Sequence, residues 1–346
     1  MISLDNKTFF SQKKRPLIIA EISGNHNGSK KRFLNLIKAA YKNGADMVKI
    51  QTYEPKDITL KNKSKKFRIN NGIWKNQYLW DLYKKACTPF AWHDDAFKIA
   101  KTHKKIIFSS PFSIRAVDLL EKFKVKLYKI ASFELSDHRL IEYVASKKKP
   151  IIISTGVSDY REIKDAIKII NKYHNKIIIL HCVSNYPTQL KDTNLANIKF
   201  LKKKFKNNFI GLSDHTNDIH SSIASLPLGI VAIEKHFNLD NAQTLDSKFS
   251  IDPKKLKKLS VMSKELFESI NSNKQLKVKN KNSYLKRSIF SFKKINKNEI
   301  LTKQNTITLR PLIGIPAKNF FKILGKRINK SIDKNMPIFQ KDLLNK

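Results

Sequence analysis

The chain carries FIGLSDHT at residues 209–216 and IVAIEKHF at residues 230–237, two short apolar runs that each lead into a histidine. Six earlier runs stop at polar clusters in the same way: PLIIAEIS (16–23), ADMVKIQT (45–52), KIIFSSPF (105–112), KLYKIAS (126–132), PIIISTG (150–156) and KIIILHCVSNYP (176–187). Most of the intervening segments have the length of one helix with two loops. This repetition predicts a (β/α)8 barrel, in which the polar strand ends would meet at the carboxyl-terminal mouth.

The segments around these strands predict two domains. More than fifty residues separate the second and third strands, nearly twice what one strand and helix need, so we expect a single insertion there. A predicted helix at 253–270 follows the eighth strand, and a polar, Lys- and Asn-rich stretch follows that helix. The last part of the chain alternates like strands. We therefore predict a TIM-barrel domain at 1–270, a linker at 271–284 and a small, mostly β domain at 285–346.

The formal charge of +41 would ordinarily suggest a nucleic-acid partner. Lysine outnumbers arginine by 60 to 9, however, and the lysines are spread over nearly every predicted helix. The chain has neither an arginine-rich arm nor a basic stripe with interleaved aromatic residues. We interpret the charge as solvated helix faces and expect no nucleic-acid partner, although a polyanion-binding surface is an alternative. The charge could also attract an anionic substrate.

The cysteines and the apolar segments help to predict the cellular compartment. Cys87 and Cys182 are not in a CxxC pair, which argues against a disulfide framework and a cysteine-ligated metal. The first residues contain no apolar core of a secretory leader, and no run of 18 apolar residues occurs. We predict a cytoplasmic protein without membrane contact.

Charged residues interrupt three of the predicted strands. Glu21 ends the first, where a carboxylate serves either as a general acid or base at the mouth or as a structural acceptor. Lys49 and Lys129 lie inside apolar strands, although lysine is rarely buried without a partner. Alternation along each strand directs both lysines toward the barrel axis. We therefore expect them to bind a phosphate or carboxylate, the alternative being ordinary exposed lysines.

Small polar side chains follow the same strand ends. They are Ser109, Ser110, Ser132, Ser154, Thr155, Ser184, Asn185 and Ser213. A single serine at a strand end is ordinarily a helix cap or a turn residue. Because these residues recur on consecutive strands beside two lysines, we interpret them as donors around an oxygen-rich anion.

Two histidines, His215 and His236, end the last two strands at matching heights. A lone histidine is more often packed or exposed than a ligand, but a pair on neighbouring strands near acidic residues predicts a metal site. Nitrogen ligands completed by water or carboxylate suit Mn, Fe, Co or Zn. His26 and His181 are competitors for this role, whereas His93 and His220 lie in predicted helices.

From Pro16 to its end, the chain resembles the sialic-acid synthase family, which condenses phosphoenolpyruvate with N-acetylated sugars. The motifs are AEISGNHNG, KIQTY, FSSPF, YKIASFE, STG, HCVSNYP, GLSDHT and IEKHF, with KRSIF, ITLRPLIGI and ILGKRINKSI in a closing module similar to an antifreeze-like (SAF) domain. Within the family, ISGNHNG, FSSPF and WDLYKKACTPFAWH are similar to pseudaminic acid synthases. The implied acceptor is 2,4-diacetamido-2,4,6-trideoxy-L-altrose, with neuraminic and legionaminic acid synthases as alternatives.

The resemblance also implies roles for residues. His215 and His236 would hold a divalent cation, Mn2+ in the first place and Mg2+ or Co2+ as alternatives. Glu21, Glu134 and Asp246 would be catalytic, Glu21 handling a proton. The implied substrate-binding residues are Lys49, Gln51, Ser110, Lys129, Ser132, Ser154, Ser184, Asn185, Tyr186, Ser213 and Arg310. Arg310 would reach the acetamido group from a partner subunit, which implies a domain-swapped homodimer.

Two other classes of protein remain open from the sequence. A divalent-metal aldolase or 3-deoxy-keto-acid synthase would share the strand-end lysines and histidines but need no SAF-like module. A polyanion- or ice-binding protein would account for the charge and the closing module. It would leave the polar cluster at the barrel mouth unexplained.

Overall fold

The computed structural model describes residues 1–272 and 281–344. The chain divides into two compact units, Met1–Ser272 and Asn273–Lys346. Most of the predicted linker, 271–284, lies outside the described residues. The proposed domain bounds therefore stay a prediction.

The first unit is a closed barrel of eight parallel strands, which confirms the predicted fold class. A short antiparallel hairpin, β1 (Ile2–Ser3) with β2 (Phe9–Phe10), precedes it. The barrel strands are β3 (Leu17–Glu21), β4 (Met47–Thr52), β5 (Ile106–Pro111), β6 (Tyr128–Ile130), β7 (Ile151–Ser154), β8 (Ile177–Cys182), β9 (Phe209–Asp214) and β10 (Ala232–His236). They pair in chain order, and β10 closes the barrel against β3.

Ten α-helices lie in the described part of this unit. They are α1 (Lys30–Lys42), α2 (Pro55–Ile58), α3 (Leu79–Ala86), α4 (His93–Thr102), α5 (Ile114–Lys122), α6 (His138–Ser146), α7 (Tyr160–Asn171), α8 (Ala196–Lys204), α9 (His220–Ala224) and α10 (Pro253–Ile270). Helices α2, α3 and α4 follow β4, so the predicted insertion is built mainly from short helices. The helix predicted at 253–270 is α10.

Local chemistry explains where the helices begin. Ser29 caps α1 by accepting the N–H of Arg32 at 3.2 Å. Asp159 caps α7 by accepting two backbone N–H groups, while Glu162 returns a bond to the N–H of Asp159 at 2.9 Å. Such a capping box satisfies donors that the first helical turn leaves unpaired. Gly44 follows α1 with a φ of +96°, a conformation that favours glycine.

Alternation along the strands divides the barrel interior into two levels. The lower level is apolar and includes Ile19, Met47, Phe108 and Ile152, with Phe10 of the hairpin packed against it. The next inward-facing position on most strands is polar or charged. The outward-facing residues form a separate apolar core against the helices. The barrel is thus filled at one end and polar at the other.

The second unit is small. Strands β11 (Ser288–Ser291) and β12 (Thr306–Leu309) pair antiparallel, and the short helix α11 (Phe320–Ile323) follows. Its core consists mainly of isoleucines, among them Ile289, Ile295 and Ile338. Within the described residues of the whole chain, no helix is both long and apolar enough to cross a membrane.

Candidate active site

A cavity of about 700 Å3 opens at the carboxyl-terminal end of the barrel. Thirteen of the sixteen residues predicted to form the site line it: Lys49, Gln51, Lys129, Ser132, Glu134, Ser154, Ser184, Asn185, Tyr186, Ser213, His215, His236 and Asp246. Glu21 and Ser110 do not line it but contact Lys49. The polar level of the barrel is therefore the wall of one pocket.

Buried charges alternate across the pocket floor. Lys49 Nζ lies 2.5 Å from Glu21 Oε2 and 3.8 Å from Glu234 Oε2. Glu234 Oε1 lies 3.7 Å from Lys129 Nζ and accepts the Ser213 hydroxyl at 2.9 Å. The four ionisable side chains are at most 5% exposed, so their mutual attraction is weakly screened by water. Anionic groups of a substrate would meet two preplaced ammonium groups here.

Burial shifts the pKa values of these groups in different directions. Loss of water raises the pKa of Glu21 to about 7 even though Lys49 opposes the shift. Burial lowers the pKa of Lys49, but Glu21 and Glu234 more than offset this and the net direction is upward. The pKa of Lys129 is lowered, with burial as the largest cause. Glu21 is thus able to exchange a proton near neutral pH.

Glu134 is a second carboxyl group with a raised pKa. Burial raises this pKa to about 7, and Lys129 only partly offsets the effect. Its Oε2 atom is buried without a hydrogen-bond partner among the described residues. A side chain that lines the cavity and has a pKa close to the working pH suits general acid–base catalysis.

Hydroxyl groups surround the upper part of the floor. Ser132 and Ser184 share a hydrogen bond of 2.9 Å, and Lys49 donates to Ser110 at 3.5 Å. In the described structure the buried Ser154 Oγ has no partner. A Cβ at Gly156 would lie 2.4 Å from Ser184 Oγ, so only glycine lets the loop after β7 approach this group. The hydroxyls and the two lysines suit an anion with several oxygen atoms.

His215 and His236 meet at the side of the cavity, with ring centroids 5.4 Å apart. His215 Nδ1 donates to the carbonyl oxygen of Val183 at 2.8 Å, and Nε2 on the other side of the ring lies 3.4 Å from Ser213 Oγ. The buried His236 Nδ1 has no hydrogen-bond partner in the described part of the chain, and burial holds its pKa well below the ordinary value. Burial lowers the pKa of His215, but Cys182 more than offsets this and the net direction is upward. The neutral imidazole of His236, with an unpartnered Nδ1, is a suitable metal ligand.

The imidazoles of His215 and His236 fit a divalent cation that keeps several coordination positions open. No group of three or more His, Cys, Asp or Glu side chains is arranged for a metal within residues 1–272 and 281–344. The protein would therefore supply two imidazoles, and water or substrate would supply the rest. A catalytic metal site needs such open positions.

The loop after β10 and an aromatic cluster cover the histidines. Asp246 Oδ2 accepts the N–H of Gly24 at 3.0 Å and lies 3.7 Å from His236 Nδ1. Burial raises the pKa of Asp246. Tyr186 packs against His215, with centroids 4.4 Å apart. These side chains restrict the space beside the proposed metal position.

The insertion after β4 provides an apolar wall opposite the charged floor. Its cavity-lining residues include Ile58, Ile69, Ile73, Trp74, Leu79, Leu82 and Tyr83. Trp74 Nε1 donates to the carbonyl oxygen of Leu245 at 3.2 Å, which joins this wall to the Asp246 loop. The cavity thus has a cationic end, a histidine pair and an apolar end, an arrangement that suits two different substrates.

Comparison with known proteins identifies the family. The sequence pattern of the NeuB family matches residues 36–275, and that of the SAF domain matches residues 286–344. The chain belongs to the NeuB family. As a NeuB enzyme it condenses phosphoenolpyruvate with an amino sugar.

Named NeuB relatives cover nearly the whole chain. The pseudaminic acid synthase of Campylobacter jejuni (strain 81-176) is 39% identical over 94% of this chain and 95% of its own. An N,N'-diacetyllegionaminic acid synthase of C. jejuni is 34% identical over 92% and 97%. The crystal structure of N-acetylneuraminic acid synthetase from Leptospira borgpetersenii, in complex with citrate, is 28% identical with a TM-score of 0.71, covering 80% of this chain and 92% of that one.

Three residues of the first unit that the sequence singled out do not line the cavity: Ser109, His26 and His181. Ser109 faces outward and contacts Thr52 at 2.6 Å. His26 Nε2 lies 3.2 Å from the carbonyl oxygen of Ala86, and His181 Nε2 lies 2.8 Å from that of Thr193. These imidazoles are therefore engaged by the backbone and do not join the histidine pair. Arg310 belongs to the second unit.

Glu234 lines the cavity but is not among the predicted site residues, because the sequence indicates it only as one of the acidic residues near the two histidines. It lies between the two lysines and opposite Ser213 in the strand register. Alternation in IVAIEKHF could have found it, because a residue two positions before an inward-facing histidine faces the same side.

Proposed function

We propose that the enzyme condenses phosphoenolpyruvate with 2,4-diacetamido-2,4,6-trideoxy-L-altrose to give pseudaminic acid and phosphate. The observation that carries the proposal is that one cavity has a floor with two lysines and an apolar wall, with contacts that run from Trp74 through Tyr186 to His215 and from there through Ser213 and Glu234 to the lysines. Phosphoenolpyruvate is a compact polyanion, whereas the sugar carries two acetamido methyl groups and a C6 methyl group. Each end of the cavity matches one substrate.

The cationic floor would bind phosphoenolpyruvate. Lys49 and Lys129 would pair with its phosphate and carboxylate. The surrounding polar groups, Gln51, Ser110, Ser132, Ser154, Ser184, Asn185 and Ser213, would donate hydrogen bonds. Such fixed donors replace water around the anion and need no reorganisation during the reaction.

The histidine pair would hold a divalent cation beside the sugar aldehyde. We propose Mn2+, with Mg2+ and Co2+ as alternatives. A cation held by His215 and His236 would supply Lewis-acid polarisation of the aldehyde oxygen. The imidazole of His215 is oriented by its bond to Val183, which favours one tautomer.

The proposed reaction joins the two substrates first and releases phosphate afterwards. C3 of phosphoenolpyruvate forms a bond to the aldehyde carbon, and the aldehyde oxygen takes up a proton. Water then adds to C2, the bond between C2 and the phosphate oxygen breaks, and the 2-keto group forms. We assign proton handling to Glu21 and Glu134, whose pKa values of about 7 suit it. Asp246 would engage the sugar, with Tyr186 shaping the space around it.

The choice of sugar depends on the apolar wall and on the relatives. Burying a methyl group contributes about 0.8 kcal/mol. The three methyl groups of the sugar would therefore favour binding against the apolar wall of the insertion over remaining in water. N-acetylmannosamine has one acetamido methyl group and a polar C6, so a neuraminate synthase would use less of this wall. Legionaminic acid precursors carry the same groups as the altrose sugar. The chain is 39% identical to a pseudaminic acid synthase and 34% identical to a legionaminic acid synthase, which favours the altrose sugar over the legionaminic acid precursor.

We also propose that the enzyme acts as a domain-swapped homodimer in the cytoplasm. Arg310 of the SAF module would reach the acetamido group bound in a partner subunit. Both cysteines, Cys87 and Cys182, are free thiols, which supports a reducing compartment. Neither a nucleic acid nor a membrane has a place in the reaction.

The test is phosphate release with phosphoenolpyruvate, Mn2+ and each of three sugars. We expect the highest kcat/KM with the altrose sugar. A higher value with N-acetylmannosamine or with the legionaminate precursor would transfer the assignment to that synthase. Phosphate release with none of the three would reject the acceptor class.

A further inference from the structure

A second buried ion pair lies on the outer face of the two strands that end at the histidines. Lys235 Nζ is 3.2 Å from Asp214 Oδ1, and neither side chain is exposed to solvent. Successive residues of a strand face opposite sides. Glu234 and His236 line the cavity, so the ion pair lies behind them and contacts no substrate.

The ion pair holds the turn that carries His215. Lys235 Nζ donates to the carbonyl oxygen of Thr216 and, at 3.1 Å, to its hydroxyl. The Asp214 carboxylate accepts the N–H of Thr216 at 2.9 Å and the hydroxyl of Ser222, in α9, at 2.6 Å. The residues on both sides of His215 are therefore bound to one ammonium group.

The same ammonium group belongs to the residue before His236. The strand register places Lys235 directly opposite Asp214. A single side chain thus ties the backbone next to one histidine to the backbone next to the other. All three donors of the ammonium group have acceptors, and a fully satisfied buried network fixes one arrangement of its members.

We propose that Lys235, through Asp214, is a positioning residue that sets the spacing of His215 and His236 for metal binding. This inference rests on the proposed metal role of the two histidines. Groups that orient metal ligands from behind change metal affinity by about 10–100-fold when they are removed. Two other lysines of the barrel, Lys49 and Lys129, contact the cavity directly, whereas Lys235 acts only through the backbone of the ligands.

The test is calorimetric titration of the metal-free full-length protein with Mn2+. We expect Lys235→Met to raise the dissociation constant by about 10-fold or more. Lys255→Met is the matched control. Lys255 pairs with Asp218 at 2.9 Å and with the carbonyl oxygen of Asn217, further along the same loop, so its loss should leave the dissociation constant unchanged.

A second variant separates positioning from stability. Lys235→Met leaves a buried carboxylate without its cation, whereas the double variant Asp214→Asn/Lys235→Met removes both charges. We expect the double variant to keep the wild-type circular dichroism spectrum and still to bind Mn2+ about 10-fold more weakly. Wild-type affinity in this folded variant would overturn the inference while leaving the metal role intact. A wild-type protein that binds no Mn2+ would overturn both.

Discussion

The carboxylate of Glu21 and the ammonium group of Lys49 form the most deeply buried contact of the proposed catalytic residues. Burial opposes ionisation of the acid, and the lysine favours it. The result is a carboxyl group whose pKa of about 7 lies close to neutral pH. A group in this state can give or take a proton without a large free-energy cost.

Replacing Glu21 by Gln should lower kcat by about 100-fold or more, because Gln keeps the size of the side chain but cannot transfer a proton. Steady-state phosphate release measures the effect. Glu121→Gln is the control, since Glu121 also lies 2.5 Å from a lysine, Lys149, but outside the cavity. Near-normal turnover of the Glu21 variant would assign this residue to structure.

Replacing Glu134 by Gln should change how stability depends on pH. Burial raises the pKa of Glu134 to about 7 from an ordinary 4.5, so the folded protein binds its proton more tightly than the unfolded chain. Its contribution to the free energy of unfolding is full below pH 4.5 and is lost as the pH rises through 7. The variant should therefore gain stability over the wild type, by a few kcal/mol at most, between pH 5 and pH 8.

Urea denaturation of both proteins at these two pH values measures the difference. A gap between variant and wild type that is the same at pH 5 and pH 8 would contradict the raised pKa.

At the scale of elements, the sequence indicates the barrel because every strand is a compact apolar run. All eight predicted strands occur in the structure, because strands covered on both faces are built mainly from apolar residues and stand out between polar segments. Alternation correctly directs Lys49 and Lys129 inward. It also separates Ser110, which contacts Lys49, from the outward-facing Ser109.

The sequence predicts that the insertion exists, because the segment is too long for one strand and helix, but it does not predict that the insertion lines the cavity. The cavity-facing residues of its loops, Ile69, Ile73 and Trp74, lie outside every helix and strand of the structure. Their role depends on tertiary contacts, such as the bond from Trp74 to Leu245, which leave no periodic signal in the sequence. Alternation could place Glu234 on the inward face, but its position between Lys49 and Lys129 depends on the pairing of distant strands.

Replacing Trp74 by Ala should raise the KM of the sugar by about 10-fold and leave the KM of phosphoenolpyruvate unchanged, because a lost aromatic contact costs a few kcal/mol at most. Trp74→Phe keeps a ring and should have a smaller effect. Trp80→Ala, in the same insertion but outside the cavity lining, is the control. A rise in the KM of phosphoenolpyruvate alone would contradict the proposed division of the cavity.

At the scale of the whole molecule, the proposed dimer makes the active site a shared one. His215 of one subunit and Arg310 of the other would act on the same sugar. Inactive His215→Ala and Arg310→Ala proteins, mixed after mild denaturation and refolding, should recover up to about one quarter of wild-type activity, because a mixed dimer has one intact site. Arg327→Ala, which removes a bond to Asn298 within the module, is the control. A fully active monomer in gel filtration would contradict the shared site.

The most direct measurement of the central claim is product analysis with the purified full-length chain, phosphoenolpyruvate, Mn2+ and the altrose sugar. Mass spectrometry should show a nine-carbon acid with the mass of both substrates plus water minus phosphoric acid, formed together with an equal amount of phosphate. Product should be absent without the sugar, after removal of the metal, and in the His215→Ala and His236→Ala variants. Phosphate release that needs no sugar, or condensation that persists in both histidine variants, would contradict the account.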